Sequence, residues 1–187
     1  MSLASVLAIA KTVTFDSLSR ALEIIKAPMV NTEMFWILTP LVISMLLMSF
    51  YFGRYKKEEL GWNTAFGNSI VLVFACIDLV RHTYNLGLLF QFNAQNALIA
   101  VLILEGLFLM LFNFFHLLPK SFAFGLSSGL TINVVVLFVI VLVYSKLPMD
   151  YITAIAAVLL AAVLVMIISI IQMLLPEASE EEEAGIV

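Results

Sequence analysis

Formal charge is scarce in this sequence. Only 12% of its 187 residues are charged, whereas 63% are hydrophobic. A soluble domain carries about 25% charged and about 45–50% apolar residues. The few cationic residues form no basic patch of the kind that nucleic acid requires. The composition therefore argues against a nucleic-acid partner and predicts that the solvent of this chain is lipid.

Cysteine and histidine are almost absent. Cys76 is the only cysteine, which excludes an intrachain disulfide and a multi-cysteine metal site. The two histidines, His82 and His116, lie far apart in the sequence, which argues against haem or zinc. The sequence also lacks the H-E-x-x-H motif, the phosphate-binding G-x-x-x-x-G-K loop and the dinucleotide glycine fingerprint. We expect no metal, no cofactor and no enzymatic activity.

Long apolar runs, in contrast, are plentiful. A membrane-spanning helix needs about 20 predominantly apolar residues. Five runs meet this requirement, with short polar loops between them: 34–53, 62–84, 96–118, 123–144 and 151–175. We predict an all-α membrane protein in which residues 34–176 form a bundle of about five transmembrane helices.

The two ends of the chain differ from the bundle. Residues 1–33 predict one or two amphipathic helices at the membrane interface, with Asp16 as an N-cap and Pro28 as a stop. The apolar positions recur at helical spacing: Leu18, Ala21, Leu22 and Ile25. Residues 177–187 contain five glutamates, and a run of this kind is typical of a solvated, disordered tail.

The loops favour one orientation in the membrane. Short cytoplasmic loops carry an excess of lysine and arginine. The loop after the first span holds Arg54, Lys56 and Lys57, and Lys120 follows the third span on the same side. We expect a multi-pass protein of the cell membrane with its N-terminus outside and its C-terminus in the cytoplasm.

Formal charges inside the spans point to a candidate site. Asp78, Arg81 and His82 share one face of the second span, and Asp78 and Arg81 are spaced for an i,i+3 pair. Glu105 in the third span lies at a similar depth, so we predict that Asp78 or Glu105 lies within reach of Arg81. The polar positions further along the third span, Asn113 and His116, extend the candidate ion or solute site towards the other end of the bundle.

Small residues suggest where helices pack closely. Gly125 and Gly129 form a GxxxG step, and Ala157 and Ala161 form a small-xxx-small step. The same glycines bracket a formal G-x-S-x-G nucleophile pattern, which requires a strand–turn–helix setting that an apolar span does not provide. A dyad of Ser127 or Ser128 with His116 is a minor alternative, because no acidic residue is placed to orient it.

Two functional readings remain open. In the first, the protein passes or senses an ion or a polar solute, and Asp78, Arg81 and Glu105 line or gate the path. In the second, it is a structural or accessory subunit of a larger membrane complex, and the same residues are buried pairs. The expected partners are the lipid bilayer, and a second copy of the chain or other membrane subunits.

Overall fold

The computed structural model describes residues 3–178, without the side chains of residues 3, 4 and 6–10. Over this range the chain is helical and contains no strand, which confirms the predicted all-α class. The helices are α1 Leu3–Val30, α2 Met34–Arg54, α3 Trp62–Asn85, α4 Ala94–Phe114, α5 Lys120–Leu126, α6 Gly129–Ser145 and α7 Tyr151–Leu174. The glutamates at positions 180–183 of the predicted tail lie outside the described residues.

Five segments are long and apolar enough to cross a membrane: Met34–Arg54, Trp62–Asn85, Ala94–Phe114, Lys120–Ser145 and Tyr151–Leu174. They agree with the five predicted spans to within a few residues at most ends. The protein is therefore a multi-pass membrane protein whose environment is the lipid bilayer.

The α6 helix forms the centre of the bundle. It packs against α1, α2, α3, α4, α5 and α7. Its apolar side chains are buried on most sides, with Val136 and Ile140 fully enclosed. A helix that is apolar all round belongs in such a central position. In contrast, α7 is the least buried of the five spans and lies at the edge of the bundle.

The N-terminal segment is one continuous helix rather than two. Asp16 lies within α1 instead of capping a second helix, and α1 continues past Pro28 to Val30. Packing explains why α1 is continuous, because it packs along α7 and α6. The packed face of α1 includes Ser17, Ile24 and Ala27, which are all buried. A second face leaves large apolar side chains exposed at helical spacing: Phe15, Leu18, Leu22, Ile25 and Met29.

The fourth span is divided, although the sequence predicts one helix over 123–144. The α5 helix ends at Leu126 and α6 begins at Gly129. Ser128 is the N-cap of α6, and its hydroxyl accepts a hydrogen bond from the Thr131 amide at 3.0 Å. An N-cap bond of this kind satisfies a free amide of the first turn, so a helix can restart within an apolar segment.

The third span ends earlier than predicted, at Phe114 instead of residue 118. His116 has a positive φ of 53°, and Leu117 N–H donates to the Phe112 carbonyl at 2.9 Å. A left-handed residue followed by this bond is the Schellman helix terminator. The backbone of His116 thus ends α4.

Asp150 caps the N-terminus of α7 at the membrane surface. Its carboxylate accepts a hydrogen bond from the Thr153 amide at 2.8 Å. This bond, assisted by the charge of Arg20, lowers the pKa of Asp150 below its usual value. Because the folded pKa is lowered, the cap stabilises the fold above the unfolded pKa, and this contribution is lost as the pH falls through the folded pKa.

Glycines outside the predicted motif make the closest helix contacts. A Cβ on Gly106 of α4 would lie 3.2 Å from Val73 Cγ2 and 3.3 Å from Leu72 Cγ of α3. A Cβ on Gly53 of α2 would lie 3.1 Å from Gln172 Cα of α7. These two positions are where α3 meets α4 and where α2 meets α7.

The predicted small-residue steps have mixed surroundings. Gly129 lies against Met48 and Asn68 at ordinary contact distance, whereas Gly125 has open space around it. Because the α5–α6 break separates the two glycines, they do not share one helix face. Ala157 and Ala161 are partly buried, each against a core cluster.

Candidate functional site

Two clusters of hydrogen-bonded polar side chains lie at opposite ends of the bundle. We call them the Tyr144 end, where α1, α3 and α6 finish and α7 begins, and the Ser127 end, where α4 finishes and α6 begins. Hydrogen bonds between helices hold each end together.

Asp78 is the centre of the Tyr144 end. The Arg81 guanidinium donates to Asp78 Oδ1 from Nε at 3.2 Å and also from Nη2. The hydroxyl of Tyr144 donates to the other carboxylate oxygen, Oδ2, at 2.7 Å. The predicted pairing of Asp78 with Arg81 is therefore present. The pair is anchored to α6 through Tyr144, whereas the Arg81 side chain is 67% exposed.

His82 and Asn31 complete this cluster. The His82 ring stacks on the Tyr144 ring, with centroids 3.7 Å apart and planes 20° apart. His82 Nε2 is buried and has no hydrogen-bond partner among the described residues. The Asn31 side chain donates to the Tyr144 carbonyl at 3.1 Å, which ties the α1–α2 turn to the end of α6.

A cavity adjoins this cluster. Its volume is about 570 Å³, within the ~300–1,000 Å³ range of small-molecule sites. Its lining is largely apolar, and its polar residues are Glu23, Lys26, Asn31, Tyr144, Ser145 and Lys146. The cavity is thus continuous with the Asp78 cluster through Tyr144.

The Ser127 end is a buried network around Asn113, whose side-chain oxygen Oδ1 has no hydrogen-bond partner among the described residues. Its side-chain nitrogen lies within hydrogen-bond distance of Ser127 Oγ at 2.7 Å, Ser69 Oγ at 2.9 Å and the Ala65 carbonyl at 3.2 Å. Asn68 donates to the Ser127 carbonyl at 2.8 Å. Asn113, Ser69 and Ser127 are almost completely buried. The network satisfies backbone and hydroxyl groups where the fourth span is broken.

The other residues of the predicted dyad have different neighbours. His116 is exposed and stacks on Trp62, with ring centroids 4.2 Å apart. Ser127 bonds with Asn113, and Ser128 caps α6. Within the described residues, neither serine forms a hydrogen bond with His116.

Glu105 is separate from both clusters. It is half-buried in the middle of α4. Among residues 3–178 its carboxyl group forms no hydrogen bond and no ion pair, and the pair predicted as an alternative with Arg81 is not formed. Arg81 is already bound to Asp78, and this pair lies about one helical turn closer to the Tyr144 end than Glu105 does. Glu105 lies on a flank of α4 beside three exposed apolar side chains: Val101, Leu104 and Phe108.

Two parts of the site were not predicted. The Tyr144 hydroxyl donates to the second carboxylate oxygen of Asp78. The sequence did not predict this bond, because a tyrosine at the end of an apolar span is ordinarily an interfacial aromatic residue. Ser69 and Ser127 meet Asn113 only because three helices converge there. For a metal ion, no group of three or more histidine, cysteine, aspartate or glutamate side chains is close enough together within the described range.

Comparisons with family models, curated proteins and solved structures yield no match to this chain. The fold and the composition of its helices define its class, a multi-pass α-helical membrane protein. Any more specific function rests on the geometry of its own residues.

The bond from Tyr144 to Asp78 gives a first test. Tyr144→Phe removes the donor to Asp78 Oδ2 and keeps the ring that stacks on His82, so we expect a loss of about 1–2 kcal/mol in the free energy of unfolding. Denaturant unfolding in detergent micelles measures it. Tyr84→Phe is the matched control, because Tyr84 is exposed on α3 at the same end of the bundle and its hydroxyl forms no hydrogen bond with any residue that the structure describes. Equal stability of both variants would show that the bond from Tyr144 to Asp78 does not stabilise the fold.

Proposed function

We propose that this protein is a non-catalytic subunit of a larger membrane assembly, in which Glu105 meets a hydrogen-bond donor or a cation that the described residues of this chain do not provide. The observation that carries the proposal is the half-buried Glu105 carboxyl group without a partner among the described residues.

The depth of Glu105 makes a missing partner costly. At 1.5 Å per residue the carboxylate lies roughly 14 Å from the closer end of α4 along the helix axis. A charged side chain at the centre of the bilayer costs about 2.5–3.5 kcal/mol on insertion scales. Ionisable side chains at this depth almost always face protein or water. The exposed flank of α4 beside Glu105 is therefore the place where we expect a partner.

The other polar groups favour an assembly role over passage through the monomer. Asp78 has donors on both carboxylate oxygens, and the Asn113 amide nitrogen donates within a buried network. The cavity beside Tyr144 is not lined by Glu105. Between the buried Asn133 and Tyr144, α6 presents buried apolar side chains, including Val136 and Ile140.

The test compares assembly with intrinsic stability. Glu105→Leu removes no internal bond, so the purified chain should unfold at the same or a higher denaturant concentration than the wild type. In native membranes the same variant should lose its place in the assembly and migrate as a smaller species on native gels. Leu107→Ala is the control, because Leu107 is exposed on the opposite side of the same helix, and it should change neither property.

Two results would contradict this proposal. Reduced stability of purified Glu105→Leu would mean that Glu105 has a partner within its own chain. An unchanged assembly would mean that Glu105 contributes nothing to a contact between subunits. Native mass spectrometry of the purified wild type separates a homo-oligomer from an assembly with other subunits.

A second candidate function, the sensing of an ion or a polar solute, is favoured by the cavity at the Tyr144 end. Its lining carries charges of both signs, on Glu23, Lys26 and Lys146. Tyr144 lines it too and binds Asp78, so a bound ligand would act directly on the Asp78 cluster. A ligand that stabilises the wild type but not Tyr144→Phe in a thermal-shift screen would support sensing. Equal stabilisation of both proteins would contradict it.

We also propose that the Ser127 end faces the cytoplasm. The loop between α2 and α3 carries Lys56 and Lys57, and Lys120 begins α5 at the same end. Single cysteines at Glu59 and Phe92, in a Cys76→Ala background, would be labelled by an impermeant thiol reagent from opposite sides. We expect labelling of intact cells at Phe92 only. Labelling at Glu59 instead would reverse the orientation, and labelling at both would contradict the crossing of α3.

A further inference from the structure

A long apolar groove lies where α2, α6 and α7 separate beneath α1. Its volume is about 570 Å³, and Thr39 is the one residue with a polar side chain that lines it. Side chains from all four helices form its walls, among them Ile24, Leu38, Phe138, Leu160 and Leu164. The groove is separate from the two polar clusters.

Water is a poor occupant for this groove. A buried water molecule needs about two to four polar partners, and the walls offer a single hydroxyl. An empty groove would forfeit the packing contacts of its lining side chains. The groove therefore needs an apolar occupant.

The length of the groove along the helix axes indicates which apolar molecule occupies it. It begins at the Tyr144 end, where Pro28 and Phe35 line it, and continues along α2 to Ile43. Ile43 lies roughly 14 Å from the start of α2 along the helix axis. Half of the hydrocarbon core of a bilayer is about 15 Å thick. The groove thus has the length of a single leaflet.

The groove opens towards lipid. The side chains at its edge, Ile25, Ile43, Val163 and Ile167, are each about half exposed, so the groove is continuous with the membrane-facing surface of α2 and α7. Ile25 also belongs to the exposed apolar stripe of α1, which extends the same surface. Because α1 crosses the end of the groove, an occupant enters through the open side, directly from the bilayer.

We infer that this groove binds one acyl chain of a phospholipid from the leaflet at the Tyr144 end, with α1 packed over it. The bound lipid fills the space between α1, α2, α6 and α7. It thereby fixes α1 on the bundle.

The test counts lipids that stay bound. The full-length protein is purified in a mild detergent, titrated with palmitoyl-oleoyl phosphatidylglycerol and measured by native mass spectrometry. We expect one lipid to bind more tightly than the rest. Val163→Trp, at the edge of the groove, should weaken that first binding event about tenfold. Val158→Trp is the matched control, because Val158 is exposed on α7 outside the groove.

A second variant covers the case in which Val163→Trp does not fold. Ile43→Trp narrows the groove from the opposite wall and should weaken the same binding event. Equal retention of lipid by the wild type and both groove variants would overturn the inference. So would a loss of the same size in Val158→Trp. Dimers in place of lipid adducts would assign the groove to a second copy of the chain and would equally refute it.

Discussion

Gly106→Leu is expected to destabilise the bundle by about 3 kcal/mol, at the upper end of the usual overpacking penalty. A Cβ at this position already lies 3.2 Å from Val73 Cγ2 and 3.3 Å from Leu72 Cγ. A leucine there must push α3 away from α4. Denaturant unfolding in micelles measures the change.

Gly125→Leu is the control for this prediction. The GxxxG motif singles out Gly125, but a side chain there would meet open space. We expect its unfolding free energy to stay within about 0.5 kcal/mol of the wild type. If Gly125→Leu were the damaging variant and Gly106→Leu the tolerated one, the packing of α3 against α4 described here would be wrong.

Asn113→Leu is the second substitution with a large expected effect. It removes a side chain that contacts α3 at two acceptors and also Ser127 in the broken fourth span. Hydrogen bonds between membrane helices contribute about 0.6 kcal/mol on average and up to about 1.7. The hydroxyls of Ser69 and Ser127 lose this donor in a fully buried place, whereas the Ala65 carbonyl keeps the Ser69 hydroxyl. We therefore expect a loss of about 2 kcal/mol.

A double-mutant cycle assigns this loss to the network. Ser127→Ala alone removes one of the acceptors of Asn113. In the double variant, the loss should be smaller than the sum of the two single losses by about 0.5–1 kcal/mol, because the two side chains share a bond. Strict additivity would show that Asn113 and Ser127 do not interact in the folded protein.

The spans were predictable because lipid imposes a simple rule on sequence. Every backbone group in the hydrocarbon must be satisfied within a helix, so each crossing requires a long apolar run. The break at Ser127 and Ser128 was not predicted, because the apolar stretches on either side of it together have the length of one span. Its local signal was the spacing of Ser128 and Thr131, which form the N-cap of α6.

Contacts within one helix were easier to predict than contacts between helices. Asp78 and Arg81 pair because they are three residues apart on α3. The sequence predicted a similar depth for Glu105, but depth does not determine how α4 is rotated about its axis, and that rotation turns Glu105 to the flank. The same limit applies to glycines, since spacing alone could not distinguish Gly125 from Gly106.

The central claim is that the flank of α4 beside Glu105 contacts another subunit, and cross-linking at this flank tests it most directly. A photo-cross-linking amino acid at Phe108, one turn away and exposed on the same flank, should form a protein–protein adduct in native membranes. The yield should fall when Glu105→Leu removes the carboxyl group, because the partner would then lose its hydrogen bond or ionic contact. An adduct with lipid alone at Phe108, or a protein adduct that Glu105→Leu leaves unchanged, would contradict the proposed subunit contact.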